Sequence, residues 1–587
     1  MDEQGPALLP VRFLGERGAT GPLTFGQRNT LNWVGNEADR YSAVVQWRLS
    51  LPAGAGLADV QAAFSVLLAR HEALRTSYPT DAPVAEATQR VARSGELVIE
   101  VHELAAHEAG LDEEGLTDLL VARLRAQGID YTADLPLRVA VATRGGVPTL
   151  AVVVYSHMAI DFASMALIGR QFTELAADPA AREPGPLGHQ PLGHQPLDQA
   201  AVERSAHGQR QAEAALRYWD RHLRTAPQSM FPVPAPLRPG PGFRTALLHS
   251  PAAGLALGQV SARTRAGRQA VLLAAICAAL SRRTGIGRCV FVAISSNRFR
   301  TRLRGYVGSL AQDGLMAVGT DGGRFDDLVR RAGQATLAAS THSMFDATRL
   351  WQVINDIGET RGTAFTRDFT LNNVSAHLDG EPSVQPPGDP AEVAAALPRT
   401  TLRWADSVDY PVVLMCNPVR LDPELLLALT ADLRLVAAAD VEALLSGVER
   451  LLVAAATEDL PPDRIGPVSG IEAVVRGPGW VLVDSCWVDL AAVRGLLADA
   501  LAVPAVHAAL AADGTLVGYA AAGDRSPEQA HGACMALLRA GGRHTAMAPG
   551  RYVLCDGAPA EPADGAAWQA RPVLATGPGR RPTPGTP

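Results

Sequence analysis

His157 and Asp161 stand four residues apart, directly after the apolar run 149–155 (TLAVVVY). Imidazole is the side chain whose ordinary pKa suits proton transfer near neutrality, so such a pair joins a candidate general base to a carboxylate. The spacing by itself is a weak signal. About one H-x-x-x-D pair is expected by chance in a chain of this size, and three occur: His157/Asp161, His194/Asp198 and His342/Asp346. Context separates them. His194 falls in a proline-rich stretch, and His342 lies in or near a helix, where residues four apart share a face. His157 ends a strand at a strand-to-loop transition, where open α/β sheets place ligand sites. A carboxylate four residues on, beyond a turn, is better suited to pairing with an arginine than to acting as a second base.

The elements that would position this pair follow from apolar periodicity. Residues 58–69 have helical spacing and run into Arg70-His71-Glu72. The run 149–155, bounded by a Gly-Gly-Val-Pro turn, has the pattern of a strand buried on both faces, and 162–175 reads as a helix after it. Residues 183–198 carry GHQPL twice, too few copies for a repeat architecture, and the prolines predict an exposed loop. A single long polar helix is expected over 199–223, and a proline-rich linker over 227–241. Beyond it come a buried helix (268–282), a strand (289–295), helices near 323–340 and 439–456, and a break at 461–470. About 110 residues of strand–helix–strand character follow, then a Pro/Gly/Arg tail expected to be disordered.

Composition narrows the chemistry. The chain has 587 residues, of which 47% are hydrophobic and 19% charged, ample for several packed cores. Its 53 basic residues are all arginine. A Walker-A loop and the Schiff bases of pyridoxal and aldolase enzymes need lysine, so those classes are excluded. A net charge of −7 argues against general nucleic-acid binding. Cysteines 277, 289, 416, 486, 534 and 555 show no C-x-x-C or zinc spacing and read as reduced, buried thiols. The segment from His102 to His107 (HELAAH) has one residue too many for a zinc-binding H-E-x-x-H, and neither a G-x-S-x-G elbow nor a dinucleotide fingerprint is present. The N-terminus lacks signal-peptide features, and the longest apolar stretch, 270–280, is far short of the ~20 residues that span a bilayer. The expectation is a soluble cytoplasmic protein with no nucleic-acid or membrane partner.

Residues 155–162 (YSHMAIDF) resemble the HHxxxDG core of nonribosomal peptide synthetase condensation domains, and other segments fall in that family's order. Residues 23–33, from Leu23-Thr24-Phe25-Gly26-Gln27 to Trp33, resemble its opening helix motif, and Arg70-His71-Glu72-Ala73-Leu74-Arg75-Thr76 its RHExLRT motif. Tyr218-Trp219, Asn297-Arg298, Tyr306-Val307-Gly308 and Asp409-Tyr410-Pro411-Val412 resemble later ones. The resemblance spans roughly residues 8–458 and implies a mixed α/β (α+β) architecture. Two lobes similar to chloramphenicol acetyltransferase would form a V around a central tunnel, as residues 8–226 and 227–458. Carrier proteins would deliver substrates on phosphopantetheine arms from opposite faces. His157 would orient or deprotonate an acceptor amine or hydroxyl attacking a thioester, with Asp161 held by Arg298. The arginines 300, 302 and 304 read as a solvated face, of which one is placed to meet a pantetheine phosphate. No bound cofactor or metal is implied; the carrier's phosphopantetheine arm carries the substrate. Two positions depart from the family pattern. Ser156 replaces its first histidine, and Phe162 replaces the glycine after the aspartate. Both are expected to bind substrate, Phe162 by reshaping the pocket with a bulky ring.

Residues 466–577 resemble the small C-terminal subdomain of adenylation enzymes, through Val488-Asp489-Leu490, Val503-Pro504-Ala505-Val506, residues 514–519 (GTLVGY) and residues 547–552 (MAPGRY). The catalytic lysine of that family's closing motif falls at Ala566, after Gly565, and a methyl group cannot bridge a carboxylate and an adenylate phosphate. The segment would be a relic kept for packing or for docking a carrier protein, with a disordered tail over 578–587. The whole is expected to be a free-standing condensation enzyme of natural-product biosynthesis. It would move an acyl or aminoacyl group from an acyl- or peptidyl-carrier thioester to a small amine or a second carrier-bound acceptor, forming an amide. The alternatives are ester formation on a hydroxyl, a non-catalytic member that recruits a carrier or partner enzyme, and an acyltransferase using CoA or lipid-like alcohols.

Overall fold

A computed structural model describes residues 5–580 except 36–43, 80–85, 105–107, 183–192, 233–241, 376–389, 408–411 and 522. The first GHQPL copy, His107, most of the 409–412 motif and the last seven residues therefore lie outside the described residues. By internal contacts the chain forms two compact units. The first comprises residues 1–214 together with 295–312 and 344–349; the second comprises 215–294, 313–343 and 350–587.

The first unit is built on a five-stranded sheet ordered Ala7–Leu14, Ser94–Glu103, Leu137–Arg144, Val147–Ser156, Val44–Leu49. All neighbours are antiparallel except Ser94–Glu103 beside Leu137–Arg144. Strands Leu137–Arg144 and Val147–Ser156 are joined through Gly145 and Gly146, whose φ of 59° and 76° suit the tight hairpin turn and favour glycine. From Leu150 onward strand Val147–Ser156 is buried on both faces, and this is why that stretch is apolar as far as Tyr155. Ala151, Val153 and Tyr155 pack into one core with helices Leu57–Arg70 and Phe162–Ala177. Leu150, Val152 and Val154 pack against Leu116, Leu120 and Leu124 of helix Glu113–Gln127 on the other face. The end of this strand is thereby fixed from both sides.

The second unit holds a seven-stranded sheet ordered Gln312–Gly319, Arg288–Ser295, Phe369–Leu371, Leu414–Arg420, Leu425–Asp432, Phe243–Ser250, Thr401–Asp406. Helix Arg268–Thr284, buried from Ala270 to Leu280, runs through its core together with helices Pro251–Thr264 and Ala438–Thr457. Later in the chain a four-stranded sheet (Val506–Leu510, Leu516–Ala520, Arg551–Cys555, Val573–Gly577) and helices Leu490–Leu501 and Pro527–Arg539 enclose a smaller core of their own. All six cysteines are free and buried. Among the described residues no helix is long and apolar enough to cross a membrane.

Three expectations are corrected. The helix expected over 199–223 is two, Pro196–Arg204 and Ala206–Leu223. Ser205 turns extended (ψ 158°), its hydroxyl accepting from the Gly208 N–H at 3.2 Å, and Gly208 approaches the Val202 carbonyl so closely that a Cβ there would come within 2.4 Å. The first part of the supposed linker is buried: Gln228, Ser229, Met230 and Phe231 are all less than 9% exposed. The break at 461–470 contains a helix, Pro462–Ser469, because proline at a first helical position loses no hydrogen bond; Gly470 (φ 64°) ends it. Of the tail expected over 578–587, residues 581–587 lie outside the described residues; Arg580 donates to the Thr360 carbonyl at 2.5 Å and the Arg361 carbonyl at 3.2 Å.

Candidate active site

Strand Val147–Ser156 ends in a turn closed by the Ala159 N–H on the Ser156 carbonyl at 3.0 Å. Ser156 is buried, and its hydroxyl accepts from the Met158 N–H at 3.4 Å, so it serves the turn itself. Met158, Ala159 and Ile160 are fully buried, and Asp161 is 1% exposed. His157 is the one residue of 156–161 that is not fully buried.

Asp161 is the N-cap of helix Phe162–Ala177, and its Oδ1 accepts from the Ser164 N–H at 3.0 Å. Arg298 meets the same carboxylate with both ends of its fork, Nη2 to Oδ1 at 2.7 Å and Nη1 to Oδ2 at 2.8 Å. The N–H groups of Leu310 and Ala311 donate to Oδ2 at 3.0 and 3.1 Å. Burial alone would raise the pKa of this carboxyl and favour its neutral form. The guanidinium charge, its hydrogen bonds and the backbone N–H groups outweigh burial and hold the Asp161 pKa below the usual carboxylate range. Asp161 is therefore an anion with its lone pairs already committed, which suits it to holding the loop and unsuits it to accepting a further proton.

Arg298 is itself fully engaged. It donates to the Ser296 carbonyl at 3.0 Å, to the Ser164 hydroxyl at 2.7 Å and to the Gly308 carbonyl at 3.2 Å, and it lies over the Tyr306 ring at 5.8 Å. Asn297, immediately before it, takes a left-handed conformation (φ 57°), and its side-chain amide donates to the Leu310 carbonyl at 3.0 Å. Gly308 has no room for a side chain: a Cβ would come 2.6 Å from the Tyr306 ring. The ring covers the guanidinium, and glycine lets the backbone pass beneath the ring.

Ser164 joins these parts and is absent from the residues singled out in the sequence. Its N–H caps on Asp161, its hydroxyl receives both Arg298 and the Gly308 N–H (3.1 Å), and it donates to the Gly308 carbonyl at 3.0 Å. Its only sequence signal is a small hydroxyl residue three positions after a capping aspartate. The N–H groups of Leu310 and Ala311 carry no side-chain signature at all.

Phe162 takes the first helical position, where φ is negative and nothing demands glycine. Its ring meets Trp47 edge-on at 5.4 Å and packs against the core beneath the sheet. Gly169 makes space for Trp47 one face further along, where a Cβ would stand 2.6 Å from the indole nitrogen.

The other two H-x-x-x-D pairs have separate structural partners. His194 bonds Gln199 at 2.9 Å, and Asp198 pairs with Arg17 at 2.9 Å. His342 stacks on Tyr218 with centroids 4.5 Å apart, whereas Asp346 pairs with Arg28. The Arg70–Thr76 motif is buried and structural as well. Arg17 forks onto Glu72 at 2.7 and 2.9 Å, Arg75 donates to the Leu68 and Arg17 carbonyls, and His71 bonds Gln171 at 2.7 Å. Among the described residues there is no group of three or more His, Cys, Asp or Glu arranged to hold a metal ion.

The family model for the condensation domain matches residues 19–392. The chain belongs to the condensation-domain family. Its mixed α/β fold, with lobes of the chloramphenicol acetyltransferase type, is shared with solved members. One is the condensation domain that mediates chain release from the enacyloxin polyketide synthase (20% identity, TM-score 0.57, covering 74% of this chain and 82% of that one). Another is SgcC5 from Streptomyces globisporus (19%, TM-score 0.54, 75% and 100%). A third is the X-domain solved in complex with OxyB from teicoplanin biosynthesis (19%, TM-score 0.56, 76% and 96%). At these identities the likeness is one of fold. No curated protein matches in sequence.

Proposed function

We propose that this protein transfers an acyl or aminoacyl group from a carrier-protein phosphopantetheine thioester to an amine, forming an amide. The observation that carries this reading is the contrast within residues 156–161: every residue is buried except His157, which stands on a turn whose far end is pinned by the Asp161–Arg298 fork. His157 would take the proton of the attacking amine as the thioester carbonyl is attacked, and the thiol of the pantetheine arm would leave. Proton transfer by a positioned side chain contributes about 10²–10⁴ in rate. Asp161 and Arg298 act as positioning residues. A hydroxyl acceptor giving an ester would use the same proton transfer.

A second reading has its own support. The likeness to an X-domain solved with a partner enzyme favours a member that recruits a carrier or partner without chemistry of its own. The C-terminal segment, read as a relic of an adenylation subdomain, would serve packing in either case; Ala566, at the place of that family's lysine, is held by the Asp564 cap at 2.9 Å.

Intact-mass spectrometry of acyl-loaded carrier proteins, mixed with an amine panel and either wild type or His157→Ala, separates the two. Discharge to an amide by wild type, slowed about a hundredfold or more in the variant, is the expected result. If neither protein discharges any loaded carrier while a carrier or partner enzyme still binds, recruitment is the function.

A further inference from the structure

A cleft of about 400 Å³ opens in the second unit between helix Arg268–Thr284, the turn before helix Phe325–Thr341, and the connector 460–467. That volume lies within the roughly 300–1,000 Å³ typical of small-molecule sites. Its floor is apolar and buried, formed by Ala278, Phe325, Leu328 and Leu460. Its rim carries Arg282, Arg324, Arg331 and Asp463.

The arginines differ from their neighbours in one respect. Arg263, Arg283, Arg324 and Arg330 pair with Asp326, Asp440, Asp459 and Asp327 respectively. Among the described residues, Arg282 and Arg331 have no carboxylate within ion-pair distance. Both are nonetheless held in place. Arg282 donates through Nε to the Ile471 carbonyl at 3.0 Å and lies against Gly466, where a Cβ would come 2.9 Å from that nitrogen. Arg331 donates through Nη2 to the Gly322 carbonyl at 3.0 Å, while its Nε is buried without a hydrogen-bond partner. Gly323 (φ 74°) allows this reach, since a Cβ there would stand 3.3 Å from Arg331 Nη1 and 2.8 Å from Asp327 Oδ2. Two fixed guanidinium groups over an apolar floor are a combination that matches a carboxylate on a hydrocarbon body. Asp463 on the same rim and Asp327, whose carboxylate interacts with the Arg331 charge, offset part of this positive charge, so the balance fits a monoanion better than a phosphate dianion.

We propose that this cleft binds a small organic carboxylate, its apolar body on Phe325, Leu328 and Leu460 and its carboxylate on Arg282 and Arg331. The site shares no residue with the His157 turn and does not depend on the reaction proposed there. Octanoate titrated into the full chain by calorimetry tests it, with octanamide and inorganic phosphate as companion probes. Saturable one-site binding of octanoate is expected, weakened about tenfold or more by Arg282→Met and by Arg331→Met, each variant still unfolding cooperatively. Octanamide, which keeps the hydrocarbon and loses the charge, should bind about tenfold more weakly or worse. Absence of saturation, or octanamide or phosphate binding as tightly as octanoate, overturns the proposal on the wild-type chain alone. Unaltered octanoate affinity in both folded arginine variants overturns it as well.

Discussion

Asp161 and Arg298 lie 137 residues apart in sequence and meet in a two-pronged ion pair of 2.7 and 2.8 Å, with side chains 2% and 10% exposed. The segment that brings Arg298 there, 295–312, belongs by its contacts to the first unit although its flanking strands lie in the sheet of the second. The pair therefore fixes the end of the His157 turn from a distant part of the chain.

Breaking one side of this pair leaves a buried charge unmatched. Arg298→Met is expected to lower unfolding stability by about 3–5 kcal/mol, read from denaturant melts. Asp161→Asn combined with Arg298→Met should cost less than the sum of the two single changes, because the double variant leaves no unpaired ion. Additive losses would mean that the residues act independently.

The ring of Phe162 packs on Trp47 and the core beside it. Phe162→Gly removes the ring that meets Trp47 and should cost about 2–4 kcal/mol, moderated by the partial exposure of the site. A variant as stable as wild type, with altered acceptor preference, would place the ring in the substrate site instead.

Two buried groups in the first unit give stability an opposed pH dependence. Burial pushes His71 down to about 4, against the hydrogen bond with Gln171. The unfolded chain, titrating near 6.5, then binds the extra proton first, so stability falls as pH drops from about 6.5 to about 4, by about 3 kcal/mol in all. Burial pushes Glu203 up to about 7, although Gln199 and the Phe25 N–H donate to it. Here the folded state holds the proton longer, so stability falls as pH rises from about 4.5 through 7. Glu203→Gln should flatten the loss on the alkaline side and leave the acid side in place. His71→Gln, which cannot take up a proton, should do the reverse in urea melts recorded from pH 4 to 8.

The C-terminal segment is tied to the rest of the second unit by buried polar contacts. Gln228 donates to the His544 and Ala546 carbonyls at 2.8 Å, Arg361 forks onto Asp484, and Arg476 lies over Trp487 at 4.4 Å while donating to the Thr284 carbonyl. Truncation after Leu460 would remove these partners and expose the surface that the segment covers. The shortened chain is expected to unfold at a temperature several degrees lower or to aggregate, by calorimetry and light scattering. Unchanged melting would show the segment to be an independent domain.

Much of the site was legible in the sequence because local rules govern it. The apolar run 150–155 is buried on both faces and leads through Ser156 to His157, and Asp161 caps the helix that follows, as its position before an apolar-periodic stretch suggests. Proline statistics misread 228–231 and 461–470, where tertiary burial and a first-turn proline override the tendency of that residue to mark loops. The helix expected across 199–223 breaks at Ser205, where no strong breaker stands, because Gly208 must approach the Val202 carbonyl.

By itself, then, the sequence determined the turn that carries His157, since apolar periodicity and capping act within a few residues. Only the tertiary structure decided that Asp161 is saturated by Arg298 and the N–H groups of Leu310 and Ala311, that Ser164 joins them, and that the ring of Phe162 lies on Trp47. These are contacts across long stretches of chain, several made by backbone atoms that every residue possesses, and no local pattern of side chains encodes which of them will meet.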